Sequence, residues 1–114
     1  MINKSKRFGC PGFSQEFEQN IYTLLSFLGE GKLTTYGQLA KQAGFPHHSR
    51  HVGKVLSRLP KGTRLPWHRV VNAQGKISLS GNSFLRQKTL LEQEGIEVTE
   101  DGKIIKFKQY LDLI

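Results

Sequence analysis

Arg50, Gly53, Lys54 and Ser57 recur at i, i+3, i+4 and i+7, a spacing that sets all four on one face of a helix with a glycine inside a polar, cationic stripe. Glycine in a helix interior costs about 1 kcal/mol relative to alanine, so its presence there implies that something must come close to the backbone. The stripe lies in a wider field. Between Glu30 and Glu92 there is no acidic residue, whereas the same stretch, from Lys32 to Lys88, holds eleven Lys and Arg. The flanks carry six basic against nine acidic residues, so the whole net charge of +8 originates in the middle. Solvated faces usually mix both signs. A one-signed stretch of this length makes a field that attracts a polyanion, and nucleic acid is the partner it fits.

Other chemistry has a weaker footing. Trp67, next to His68, offers an apolar ring and one N–H donor but no nucleophile. A histidine satisfied within the core accounts for His68 as well as a chemical role does. His47 and His51 are spaced i, i+4 and could face one metal, yet no Cys or acid lies nearby and the surrounding positive charge repels cations; no metal and no cofactor is expected. The single Cys10 cannot close an internal disulfide, which agrees with a reducing compartment.

The elements that must position these residues fit one domain in 114 residues. No apolar run approaches the length of a membrane span and no signal peptide is recognisable, so a cytoplasmic location is expected. Residues 1–13 are basic and without periodicity, a flexible arm; residues 14–107 read as the folded domain and 108–114 as a tail. Phe17, Ile21, Leu24, Leu25 and Leu28 form one helical face that Gly29 and Gly31 close. Thr35 to Gln38 has capping-box spacing and opens a short helix with Leu39, Ala40 and Ala43 inward, ended by Gly44-Phe45-Pro46. Val52, Val55, Leu56 and Leu59 form the apolar side of the next helix, before Pro60 and Gly62. Two short helices with a brief turn, the second basic outside, read as a helix-turn-helix. Beyond the basic loop Lys61–Leu65, residues 76–79 read as a short strand or wing and Ser80–Ser83 as a flexible loop. Phe84, Leu85, Leu90 and Leu91 fit a last helix stopped by Gly95. Residues 96–99 and 103–107 flank Glu100-Asp101-Gly102 as a hairpin.

The motif Pro66-Trp67-His68-Arg69-Val70 resembles Pro-Cys-His-Arg-Val, the signature of the DNA repair proteins that take an alkyl group from O6-alkylguanine onto their own cysteine. The match holds on both sides and fails at the nucleophile, where an indole replaces the thiolate that the reaction needs. With likeness running from about Phe17 to Glu97, the chain is identified as a member of the alkyltransferase-like proteins, which keep the lesion-binding domain and lack the cysteine. The implied fold is mainly α with small β elements, a single domain resembling the alkyltransferase C-terminal DNA-binding domain, helix-turn-helix and winged-helix-like.

The resemblance also assigns roles. Tyr36 stands where the family keeps a tyrosine that crowds the phosphate of the target nucleotide, and Arg50 where it keeps the arginine finger that fills the vacated stack. From the residues alone, Tyr36 reads as well as a packing residue and Arg50 as a solvated one. Gly53 would let its helix approach the sugar-phosphate backbone in the minor groove, with Thr34, Thr35, Ser49, His51, Lys54, Ser57 and Arg58 as further DNA contacts. Trp67, His68, Val70, Ser80 and Glu94 would form the lesion pocket. His68 and Glu94 match the relay that draws the proton from the cysteine in active enzymes. Two departures stand out: Leu59 replaces an asparagine that props the active-site turn, and the wall around Ser80 lacks the family's tyrosine, which fits a pocket open to larger alkyl groups. The implied protein is a non-enzymatic monomer that binds O6-alkylguanine in double-stranded DNA and draws in nucleotide excision repair proteins. A sequence-specific helix-turn-helix regulator, with Trp67 as plain core, is the alternative; it would normally need a second subunit to read a two-fold operator.

Overall fold

The apolar face set out by Phe17, Ile21, Leu25 and Leu28 is buried. In the computed structural model, which describes residues 11–60 and 62–112, it belongs largely to helix α1 (Pro11–Ser26). The helix starts at Pro11, ahead of the expected Ser14, because the fixed φ of proline suits the first helical position, where its missing N–H has no partner to lose. The rest of the expected arm, residues 1–10, lies outside the described residues, as does Lys61.

Strand β1 (Thr34–Thr35) pairs in parallel with β2 (Val70–Val71), in the register Thr34 to Val70 and Thr35 to Val71. Thr35 then caps α2 (Tyr36–Gln42): its hydroxyl accepts the Gln38 N–H at 3.0 Å, as the capping-box spacing requires. At the other end Gly44, at φ 93°, lets the chain close a Schellman motif in which the Phe45 N–H reaches the Ala40 carbonyl at 2.9 Å and the Gly44 N–H reaches Lys41 at 3.1 Å. Helix α3 (Ser49–Ser57) follows and packs on α2, with α1 against both. This is the expected helix-turn-helix.

Val70 and Val71 are neighbours in an extended segment, so their side chains point to opposite faces. Val70 joins Phe17, Ile21, Leu39, Val52 and Val55 in a core beneath α1, α2 and α3. Val71 joins a second core with Leu33, Ile77, Leu91, Ile96, Val98 and Ile104. Both valines are fully buried, each contributing about 1.5–3 kcal/mol. A single 3-10 turn, Trp67–Arg69, leads directly into them.

Helix α4 (Gly81–Gln93) begins where a flexible loop was expected, with Ser80 at its N-cap position. Phe84, Gln87 and Leu91 share its inward stripe; Leu85 falls off that phase and stands exposed. The helix ends in a second Schellman motif, with Gly95 at φ 83°, the Ile96 N–H on the Leu91 carbonyl at 3.1 Å and the Gly95 N–H on Glu92 at 3.0 Å.

The strand expected at residues 76–79 and the hairpin at 96–107 are reduced to isolated antiparallel bridges, Lys76 to Lys103 and Val98 to Ile104. Pairing stops because Lys106 turns left-handed, at φ 59°, and Phe107 opens a one-turn helix, α5 (Phe107–Tyr110). Residues 108–112 do not trail away as a tail. Leu33 donates its N–H to the Tyr110 carbonyl at 2.7 Å and accepts the Asp112 N–H at 2.8 Å, so Leu111 runs parallel beside Leu33. Among the described residues no helix is long and apolar enough to cross a membrane.

Candidate nucleic-acid interface

A cleft of about 300 Å³ opens between α2, α3, the 3-10 turn and the first turns of α4. It is lined by Tyr36, Gly53, Leu56, Ser57, Leu59, Pro60, Thr63, Trp67, Leu79, Ser83, Arg86 and Gln87. Tyr36 is placed there as the first residue of α2, and its hydroxyl accepts a hydrogen bond from Ser78 Oγ at 3.3 Å. Gly53 and Ser57 lie one turn apart on α3 and face the cleft. A methyl group added at Gly53 would meet nothing within 4 Å, so no neighbour inside the protein requires glycine there.

Trp67 is half-buried, edge-on to the His68 ring at 6.1 Å and 84°, and the Arg86 guanidinium carbon stands 5.8 Å from the indole centroid. Beside it Gln87, 1% exposed, donates from Nε2 to the carbonyls of His68 at 2.9 Å and Val70 at 3.0 Å. Two acceptors at one end of the carboxamide fix which end is nitrogen. Gln87 therefore props the turn that carries Trp67.

Behind that turn sits an ionic cluster. The Schellman motif at Gly95 places Glu94 as the C-cap of α4, and its carboxylate is held from three sides. Gly31 donates its N–H to Oε1 at 2.8 Å, Arg69 Nε lies 3.0 Å from both oxygens, and His68 Nε2 lies 2.5 Å from Oε2. Arg69 also donates to the Leu28 carbonyl at 2.7 Å, which ties the turn to the end of α1. Burial pushes the Glu94 pKa up, but the hydrogen bonds from Arg69, His68 and Gly31 together outweigh it and hold the carboxyl below the usual range. Burial pushes His68 below the usual histidine range, against the opposing pull of Glu94. His68 is therefore neutral near pH 7, with the Nε2–H directed at an ionised Glu94 and the lone pair left on Nδ1. Such an imidazole is a general base, and residue 67 offers it no acidic proton of a nucleophile to take.

The outer face carries the exposed Arg50, His51, Lys54 and Arg58 on or just past α3, with Ser49 half-buried at its start. Arg58 pairs with Glu18 at 3.5 Å in an exposed contact that solvent screens. Partial burial, then the neighbouring His48, Lys54 and Arg58, lower the His51 pKa, so this ring adds no charge to the stripe at neutral pH. Several expected contacts are placed elsewhere. Thr34 is fully buried in β1, out of reach of any partner, and the Thr35 hydroxyl is committed to its cap. Val70 belongs to the core and gives only its carbonyl to the site. Ser80 is an exposed N-cap, and Leu79 and Ser83 form that wall instead; His68 and Glu94 stand behind Trp67 without lining the cleft. His47 precedes α3, and among the described residues no three His, Cys, Asp or Glu are grouped to hold a metal.

The sequence reading passed over Arg86, Gln87, Thr63 and the clamp role of Arg69. Gln87 had a legible signal, a polar residue four positions before the buried Leu91 on an inward stripe; Thr63 had none.

Residues 16–96 match the family described as 6-O-methylguanine DNA methyltransferase, DNA binding domain. The chain is 54% identical over 89 residues to the DNA base-flipping protein of Vibrio parahaemolyticus, covering 78% of this chain and 89% of that one. It is 40% identical over 85 residues to Alkyltransferase-like protein 1 of Schizosaccharomyces pombe, covering 73% and 79%. The fold matches the crystal structure of S. pombe Atl1 in complex with damaged DNA containing O6-carboxymethylguanine with a TM-score of 0.76 at 35% identity, over 86% of this chain and 95% of that one.

Proposed function

Because the chain belongs to the family of the O6-methylguanine DNA methyltransferase DNA-binding domain, and within it to the alkyltransferase-like proteins, we propose that it binds O6-alkylguanine in duplex DNA, turns the damaged base into the cleft beside Trp67 and holds it without removing the alkyl group. The observation that carries this reading is the cleft itself. It joins the open backbone of Gly53 on the cationic face of α3 to the ring of Trp67, the residue that by resemblance of the motif stands in for the acceptor cysteine.

The steps follow from the residues. Lys54 and its cationic neighbours engage phosphates and release counterions, and the missing side chain at Gly53 lets α3 settle against the sugar-phosphate backbone of the minor groove. Tyr36, at the cleft edge, crowds the target phosphate, and the Arg50 guanidinium takes the place of the extruded base. Unstacking costs a few kcal/mol, which stacking of the base on the indole and of Arg50 in the duplex offsets at about 1–3 kcal/mol each. A cleft near the small end of ligand pockets suits one base. With no thiol at residue 67 the alkyl group stays where it is, and the bound monomer marks the lesion for nucleotide excision repair proteins.

The test is a binding comparison of matched duplexes carrying guanine or O6-methylguanine, followed by mass measurement of the protein. Tighter binding of the lesion duplex in any sequence context, with no mass gain, is the expected result. Equal affinity for the two duplexes, strong dependence on one sequence, or methylation of the protein would each overturn it.

A further inference from the structure

The Tyr36 hydroxyl has one hydrogen-bond partner among the described residues, Ser78 Oγ at 3.3 Å, a residue 42 positions further along the chain. The bond joins the two halves of the domain at the cleft edge. Tyr36 packs against the first core, whereas Ile77, next to Ser78, is buried in the second and donates its N–H to the Gly102 carbonyl at 2.9 Å. With Ile77 turned inward, Ser78 is turned outward, and Leu79 follows in the cleft wall. The neighbours of Ser78 therefore set its hydroxyl at the one side-chain atom of Tyr36 that can make a polar contact. Because Ser78 donates, the phenol keeps its own O–H for another acceptor.

We propose that Ser78 is a positioning residue for the Tyr36 hydroxyl, holding its oxygen so that the phenol donates its proton to an oxygen of the target phosphate. This rests on the function proposed above, in which Tyr36 meets that phosphate. The ring pushes the DNA backbone, and the hydroxyl holds it where it has been pushed. A hydrogen bond to an ionised oxygen is about twice as strong as one between neutral groups. At 3.3 Å the hydroxyl pair is loose in the free protein. A phenol that gives its proton toward an anion becomes a better acceptor, so the contact from Ser78 tightens in the complex.

The test is a double-mutant cycle on guanine and O6-methylguanine duplexes of one sequence, using the unmodified protein, Ser78→Ala, Tyr36→Phe, the double variant and Ser78→Thr, with thermal melting of each. Ser78→Ala should weaken binding of the lesion duplex about fivefold, the effect of one hydrogen bond, and change binding of the undamaged duplex much less. Tyr36→Phe should lose at least as much on the lesion duplex, and adding Ser78→Ala to it should cost nothing further, since the atom through which Ser78 acts is gone. Ser78→Thr, which keeps the hydroxyl, should bind like the unmodified protein. Full affinity in Ser78→Ala or Tyr36→Phe, an equal loss on both duplexes, or a Ser78→Ala loss that persists beside Tyr36→Phe would each overturn the assignment, as would a drop in melting temperature that accounts for the lost binding. If the unmodified protein does not distinguish O6-methylguanine from guanine, the underlying function fails as well; an intact preference that Ser78→Ala leaves unchanged removes the role of Ser78 alone.

Discussion

Nε2 of His68 lies 2.5 Å from Oε2 of Glu94, a contact between residues 26 positions apart that joins the motif turn to the end of α4. The two groups titrate in different ranges, and both favour the fold in their high-pH forms. As pH falls below the ordinary histidine value of about 6.5, the unfolded chain takes up a proton that folded His68 resists, so stability drops. A second drop follows below the ordinary carboxylate value of about 4.3, where the unfolded chain protonates before Glu94 does. We expect urea midpoints to decline in these two steps. His68→Gln should remove most of the upper step. Glu94→Gln should suppress the lower one and cost about 3 kcal/mol at pH 7, because it leaves Arg69 uncompensated. A flat profile for the unmodified protein between pH 7 and 5 would contradict the neutral state of His68.

Gly53→Ala should separate stability from binding. An added methyl meets nothing within 4 Å, and alanine favours the helix, so the free protein should gain about 0.5–1 kcal/mol. Affinity for duplex DNA should fall, because the methyl now stands where the backbone of the duplex must approach. Thermal melting and DNA titration of the same variant check both signs; unchanged DNA binding would remove the close approach.

Arg50→Ala should weaken binding to an O6-methylguanine duplex by about 1–3 kcal/mol and cost much less on undamaged DNA, since only the extruded state needs a residue in the gap. Lys54→Ala, at a proposed phosphate contact, should lower both by a similar amount and reduce the slope of affinity with salt by about 0.9. Titrations at several salt concentrations distinguish them. Equal losses on the two duplexes for Arg50→Ala would leave it an ordinary surface cation.

Trp67→Ala should shrink the lesion preference while non-specific binding survives. Trp67→Cys sets a thiol beside His68, whose Nδ1 lone pair is present, yet we expect little or no alkyl transfer. Leu59, at the cleft wall, stands where the resemblance implies an asparagine that props the turn in active enzymes, and a misplacement of about 1 Å costs on the order of a hundredfold in rate. Mass measurement after incubation with an O6-methylguanine duplex decides it: prompt stoichiometric methylation would show that the thiol was the one missing part.

Gln87→Leu should cost about 1–3 kcal/mol, because it leaves the buried carbonyls of His68 and Val70 without their donor. Lesion preference should fall with it as the turn loosens, with the helix content by circular dichroism unchanged. A variant as stable as the parent would mean that the carbonyls find other donors.

What was legible in the chain was whatever repeats over a turn or two of helix. The stripes from Phe17 to Leu28 and from Val52 to Leu59, the Thr35 cap and the glycines at 44 and 95 are local rules, and each appears where local rules put it. The parallel pairing of Thr34 with Val70 spans two residues per strand, too short for any periodicity to register. The same limit hid the burial of Thr34 and the core position of Val70. The Glu94 clamp joins Gly31, His68 and Arg69, which no spacing along the chain connects. Leu85 lies in the last helix as read, although off its inward stripe. Residues 108–112 were read as a tail because their partner, Leu33, lies far back in the chain.

Val70 and Val71 anchor the motif turn in two separate cores, while Trp67, three residues upstream, stands half-exposed at the cleft. The side chain at position 67 can therefore be exchanged with little consequence for folding. A change of residue there leaves both cores as they are. In that sense the fold separates the question of where the protein binds from the question of whether it reacts, and natural selection is free to answer the second without reopening the first.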